Sequence, residues 1–244
     1  MSHRIAAIFA HPDDETFCVG ATVAKYADAG VETDLFCATD GDAGKNSGVA
    51  VSSRQELAAI RRDEARAAAR ILGIASVELA GYGDGALQQL DPALLTASIV
   101  AFIRRHTPAI VLTFGPEGAP TGHRDHQAIS RAATAAFFLA QLRTAFPDQI
   151  EQGLTPHRAK RLYYHAWQYP HKNPSLKLES VPFTARIDAT DHRQRKLDAF
   201  MAHATQRYAY DLFVTDVLLD AEFFAFAAGT PQPRPMIDDL FDGL

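Results

Sequence analysis

The sequence predicts an α/β protein with a mostly parallel sheet flanked by helices and a less regular C-terminal third. Two observations carry this. Short apolar runs alternate with helical patterns through about the first 142 residues, as in a parallel sheet with crossover helices. Each of these runs is also followed by a stretch rich in Gly, Asp or His, the kind of loop that open parallel sheets place at the carboxyl ends of their strands.

The elements follow in order. Residues 5–10, IAAIFA, read as a short buried strand. Residues 14–29 are helical, with Val19, Val23 and Tyr26 at helical spacing and Gly30 as the stop. Residues 31–38 make a second strand. Ser53-Arg54-Gln55-Glu56 is a capping box, in which Ser and Glu side chains satisfy free amides at a helix start. That helix runs to about Leu72 and ends at Gly73. Residues 76–79 are a third, short strand. Asp91-Pro92 opens a helix to about His106, because Pro suits the first helical position. Residues 109–114, AIVLTF, are a fourth strand, and 126–142 are again helical. Beyond lie strand-like pieces at 161–167 and 183–187, a helix near 192–206, and an irregular, Pro-rich tail at 229–235. The expected organisation is a single domain, residues 1–244.

Bulk properties narrow the class. The 244 residues are 47% hydrophobic and 22% charged, the profile of a soluble globular protein. A formal net charge of -5 argues against a nucleic-acid partner. No apolar run reaches membrane-spanning length, and the N-terminus lacks a signal peptide's apolar stretch, so the expectation is a cytoplasmic protein with no membrane partner. Cys18 and Cys37 form no disulfide framework or CxxC pair and read as small buried apolar residues.

The first strand runs directly into His11-Pro12-Asp13-Asp14-Glu15. Adjacent carboxylates repel one another unless a cation holds them. The second strand leads to Thr39-Asp40-Gly41-Asp42-Ala43-Gly44, the third to Gly81-Tyr82-Gly83-Asp84-Gly85, and the fourth to Gly122-His123-Arg124-Asp125-His126. In a doubly wound order strands one and four are neighbours, and His11, Asp14 and His126 can meet. Two imidazoles and a carboxylate make a divalent-metal site with room for water. Only one of Asp13 and Asp14 is needed as a ligand, which frees the other to act as a base. Against this stand plain structural roles: Asp13 or Asp14 as a helix cap, and His123 and His126 as solvated residues at a helix start.

Other residues read less sharply. Arg61 and Arg62 lie in the long helix, where adjacent side chains point about 100° apart, so only one can face a site squarely. Asp84 either accepts bonds from a substrate hydroxyl or serves its turn. Trp167 and Tyr169 form an apolar platform for a ligand ring or belong to core and rim. His165 reads as packed or rim. A non-haem iron oxygenase shares the two-His-one-carboxylate set but leaves the extra carboxylate unexplained. A nucleotide-binding module lacks its GxGxxG after the first strand, and acids there would repel a pyrophosphate.

Ala10-His11-Pro12-Asp13-Asp14-Glu15 and, later in the chain, His123-Arg124-Asp125-His126 resemble the two hallmark motifs of the LmbE-like, PIG-L-type zinc-dependent N-acetylglucosaminyl deacetylases. Thr39-Asp40-Gly41, Arg61-x-x-Glu64 with Leu72-Gly73, Asp84-Gly85, and Lys196 to His203 match weaker family features in order. Gly20-Ala21 departs from the family's usual pair of glycines. The resemblance implies a Rossmann-like fold and His11, Asp14 and His126 as ligands to Zn2+, with another divalent ion open. It implies Asp13 as general base on a metal-activated water. A protonated His123 would stabilise the oxyanion or assist the leaving amine, and Asp125 would orient an imidazole. Arg61, selected by the Arg-x-x-Glu spacing, and Asp84 are the expected substrate-binding residues. The implied partner is a small-molecule N-acetyl sugar or its conjugate, cleaved to acetate and a free amine. Oligomeric state is not readable from the sequence, and a homo-oligomer stays open.

Overall fold

The structure, a computed structural model, describes residues 3–167 and 180–244. Tyr169 lies outside the described residues. Seven strands form one sheet: β1 (Arg4–Phe9), β2 (Glu32–Thr39), β3 (Ser76–Tyr82), β4 (Ile110–Phe114), β5 (Arg161–Ala166), β6 (Ala185–Asp188) and β7 (Ala221–Gly229). Their order is β3-β2-β1-β4-β5-β7-β6. The first five are parallel neighbours, and β7 runs antiparallel to both β5 and β6. The main helices are α1 (Asp14–Asp28), α2 (Arg54–Leu72), α3 (Pro92–His106), α4 (Arg124–Leu139), α5 (Pro147–Glu151) and α6 (Arg193–Ala202). Helices α1, α2 and α6 pack together, and α3 packs on α4. The central strands are correspondingly apolar: Ile5, Ile8 and Phe9 of β1, and Ile110, Val111 and Leu112 of β4, are fully buried. Among the described residues no helix is long and apolar enough to cross a membrane.

Local signals act mostly as expected. Asp91 caps α3 by accepting from the Ala93 amide, with Pro92 at the first position. Ser53 accepts from the Glu56 amide, but the Glu56 carboxylate reaches Ser52 instead of closing the box on Ser53. Helix α4 starts and stops earlier than residues 126–142, and α6 ends at Ala202, before a 3-10 segment over residues 204–209. Cys18 and Cys37 are buried, and burial pushes both thiols well above their ordinary range, which leaves them inert.

The C-terminal third holds a strand that periodicity does not reveal. The β7 sequence, AEFFAFAAG, has no β-branched residue and no alternation of apolar and polar positions. It completes the sheet between β5 and β6. Glu222 of this strand accepts from the amides of Ala21 and Thr22 inside α1, and Lys196 of α6 donates to Phe17 O and to Glu222, at 2.7 Å. This buried ion pair therefore serves backbone groups at the Phe17–Ala21 step of α1. It also explains Gly20, where a Cβ would stand 3.1 Å from Lys196 Cγ. Removing one partner leaves a buried charge unanswered. Lys196→Ala should lose about 3–5 kcal/mol of stability, read as a lower denaturant midpoint. An unchanged midpoint would show that the pair does not hold α1.

Candidate active site

The adjacency of β1 and β4 is the switch point of the sheet, where chains leave in opposite directions and open a crevice. The loop after β1 carries His11, Asp13 and Asp14 into it, and the first turn of α4 carries His126. The two motifs thus meet. His11 Nδ1 and His126 Nε2 are 3.2 Å apart. The Asp14 carboxylate lies 3.4 Å from the first and 3.3 Å from the second. Donors on a tetrahedral ion at about 2.0–2.1 Å are themselves roughly 3.3–3.4 Å apart. The three side chains therefore lie at about the spacing of metal ligands, with Asp14 Oδ2 facing His11 and Oδ1 facing His126.

Their partners hold them in that attitude. His126 Nδ1 faces Gly118 O at 3.3 Å, which leaves Nε2 for the cluster. Asp14 Oδ2 accepts from the amides of Ala10 and His11. His11 Nε2 lies 3.0 Å from Asp84 and 3.5 Å from Asp125, pointing between the two carboxylates without a well-aligned hydrogen bond to either. Asp125 is fixed by the amides of Gly85 and Leu87, and Asp84 by that of Ala43. Burial alone would lower the His11 pKa, but Asp125, Asp14 and Asp84 raise it well above its ordinary value. Burial opposes ionisation of Asp14, yet His126 and His11 hold its carboxyl well below the usual range. His11 likewise outweighs burial at Asp84 and draws its carboxyl down to about 2.

Asp13 stands apart from the triad. Its backbone has φ 122°, a left-handed conformation that Asp rarely adopts, and its side chain does not cap α1. Such strain persists only where the surroundings enforce it. Here Glu15 accepts from the Asp13 amide at 3.0 Å, and Arg61 donates to Asp13 Oδ2 at 3.0 Å. Burial raises the Asp13 carboxyl to about 6 despite Arg61. Glu15 is fully buried and paired with His203 at 2.8 Å. Burial disfavours both charges, but the pair lowers the Glu15 pKa and raises that of His203. The three neighbouring acids thus face three different partners.

Several expected roles meet different geometry. Arg61 is 3% exposed and donates to Gly41 O, Pro12 O and Asp13. Gly41 and Gly44 make room for its guanidinium, which a Cβ at either position would overlap. Arg62 turns to Asp40 instead. Asp84 faces His11. Glu64 accepts from Thr205 and so ties α2 to the 204–209 segment. His123 caps α4: its Nδ1 accepts from the Asp125 amide at 3.2 Å. Burial, then His126 and His11, lower its pKa. The protonated His123 expected from the sequence is therefore disfavoured, and with Nδ1 accepting from an amide the proton of the neutral ring belongs on Nε2. Trp167 is buried and lines no part of the main cleft.

That cleft has a volume of about 670 Å³ and contains His11, Asp13, Asp14, Asp84, His123 and His126. Sequence reasoning missed much of its wall. Phe17, Cys18, Phe114 and His165 line it, together with Gln206, Tyr208 and Leu212 of the C-terminal third. The start of α1 brings Phe17 and Cys18, strand register aligns Phe114 with His165, and the Glu64 tether holds the segment that carries Gln206 and Tyr208.

Known proteins resemble this chain in sequence and fold. The chain is 29% identical over 290 residues to a 1D-myo-inositol 2-acetamido-2-deoxy-alpha-D-glucopyranoside deacetylase of Rhodococcus erythropolis, covering 99% of this chain and 97% of that protein. Its fold matches N,N'-diacetylchitobiose deacetylase from Pyrococcus horikoshii with TM-score 0.75 and 25% identity, over 92% of this chain and 83% of that one. The same fold occurs in the 4-carboxy-2-hydroxymuconate hydratase of Pseudomonas putida, with TM-score 0.74 and 21% identity over 95% and 99% of the two chains. Both motifs fall inside residues 6–137, the stretch that matches the family model PIG-L, GlcNAc-PI de-N-acetylase, and with more than half of its length so matched the chain belongs to that family.

Proposed function

We propose that the protein is a metal-dependent hydrolase that removes the acetyl group from an N-acetylated amino sugar or its conjugate, with zinc as its ion. The observation that carries this reading is the His11–Asp14–His126 triad with an ionisable, unliganded Asp13 beside it. Two imidazoles and a carboxylate suit zinc and leave a position open. Bound there, the ion supplies Lewis acidity and lowers the pKa of water from about 15.7 to about 7. The relatives' activity on N-acetylglucosamine conjugates supports the substrate class.

The chain's own residues divide the remaining work. Asp13 takes a proton from the attacking water and returns it to the amide nitrogen as the C–N bond breaks. The products are acetate and a free amine. His123 donates its Nε2–H to the carbonyl oxygen as negative charge develops there, a task that a neutral imidazole can perform. Asp84 and Asp125 flank His11 Nε2 and hold it electrostatically, and Asp84 is thereby reassigned from the sugar to the support of His11. Arg61 is reassigned from substrate to base: it fixes the Asp13 carboxylate and the loop around it.

Arg61→Ala should therefore lower kcat by about 10- to 100-fold, because a misplaced group costs on that scale. KM should change less, and Arg61→Lys should rescue little, because a single ammonium cannot replace the guanidinium's several directed donors. A raised KM with unchanged kcat would return Arg61 to the substrate. The functional reading is tested by incubating metal-loaded protein anaerobically with a panel of N-acetyl sugars and conjugates and measuring acetate. Acetate with an equal amount of free amine is the expected result. No acetate from any member would overturn the reading, and turnover that depends on oxygen would favour an oxygenase.

A further inference from the structure

Phe17 and His165 face two spaces at once. Both line the cleft that holds the triad, and both line a smaller cavity of about 20 Å³ on their other side. Its walls combine apolar side chains, among them Trp167, Val217, Leu219 and Phe223, with the buried Lys196–Glu222 ion pair. Its volume suits about one water molecule. The two side chains are therefore a partition.

The sheet fixes where this partition stands. His165 pairs in register with Phe114, and the Phe114 ring stacks on His126 at 4.0 Å. The His165 imidazole is thus one strand away from a residue that packs directly on a triad histidine. It is nine-tenths buried, and its Nδ1 has no hydrogen-bond partner. Cys18 and Phe114, which also line the cleft, are 4% and 1% exposed, whereas Tyr208 and Leu212 are 55% and 46% exposed. The cleft accordingly has a closed inner end at Phe17, Cys18, Phe114 and His165 and an open mouth at Tyr208 and Leu212.

An N-acyl amino sugar has a small end and a large end. A sugar with its aglycone needs the mouth, so the acyl chain points inward. We propose that His165, together with Phe17, forms the end wall of an acyl pocket and limits the substrate to short acyl groups such as acetyl. This rests on the amide-hydrolase reading above. A filled apolar pocket rejects one extra methylene by about 10- to 200-fold. Shortening His165 joins the pocket to the cavity behind it and creates room for that methylene.

The test uses the metal-loaded wild type, His165→Ala and His165→Val, the last removing the unpartnered nitrogen as well as volume. Release of acetate, propionate and butyrate is measured from one glucosamine conjugate acylated in three ways. The wild type should favour acetyl over propionyl by about 10-fold or more in kcat/KM. In both variants the propionyl-to-acetyl ratio should rise about 10-fold. Ala221→Leu, which refills the rear cavity, should bring the ratio back down in the His165→Ala background. Equal wild-type rates on acetyl and propionyl substrates would overturn the proposal even if neither variant folded. So would variants in which both rates fall together with the ratio unchanged. Acetate release without the ratio change sinks the end wall alone, whereas no acyl release from any substrate removes the hydrolase reading and the end wall together.

Discussion

Asp13→Asn should reduce turnover by about 100- to 10,000-fold and leave the metal content unchanged. The substitution keeps the shape and removes the base. Asparagine tolerates the left-handed backbone at this position at least as well as aspartate does, so the strained turn survives. Arg61 keeps its bonds to Gly41 O and Pro12 O, so the loop survives too. Nothing in the triad loses a partner. The pH profile gives a second readout. Burial and the Asp14 charge raise the Asp13 carboxyl to about 6 against the pull of Arg61. A nearby dication favours the ionised form and shifts that value down. Wild-type kcat/KM should then fall on the acid side as Asp13 takes up its proton, at a pH between the ordinary 3.8 and about 6. The residual activity of the Asn variant should lack that acid limb. An Asn variant with the wild-type limb, or with its metal lost, would move the base elsewhere or make Asp13 a ligand.

Asp14→Ala should abolish activity by a different route, through the metal itself. Two imidazoles remain as donors, and the amides of Ala10 and His11 lose their acceptor. Metal analysis after gel filtration should find the wild type with about one divalent ion per chain and the variant with almost none. His126→Ala should behave in the same way. Asp84→Ala should give an intermediate result, a metal affinity lower by about 10- to 100-fold, because it removes an orienting partner of His11 and not a donor. Chelation should silence the wild type, and added zinc should restore it. Full metal occupancy in Asp14→Ala would reject the triad.

The parts of this site legible in the sequence are those whose position follows from local chemistry. His11 and Asp14 directly follow an apolar strand, and His126 opens a helix after another. A doubly wound order was enough to bring them together. The pairing of Asp84 with His11 was not legible, because an Asp in a Gly-rich turn reads the same whether or not an imidazole waits opposite. The role of Arg61 shifted for a related reason. Helical spacing indicates which face a side chain is on, but not that Gly41 and Gly44 clear a path for it to the backbone of the first loop. The protonation of His123 was not legible because it depends on burial beside His126 and His11, neighbours that only the fold supplies. Strand β7 escaped because its Ala- and Phe-rich run is buried on both faces and carries no period-two signal.

The three donors and Asp13 are all present in the chain by residue 126, yet the groups that steady their turn come much later. Glu15, which holds the Asp13 amide, leans on His203, and α1 leans on Glu222 of a strand that enters the sheet between two others. During synthesis the donors therefore leave the ribosome well before their supports. A nascent chain that has reached only α4 carries the proposed ligands and the groups that orient them, but lacks the His203 and Glu222 contacts that steady the start of α1, so firm metal retention would belong to the last stage of folding. Chains cut short of residue 203 should consequently retain the ion less well although none of the proposed ligands has been removed.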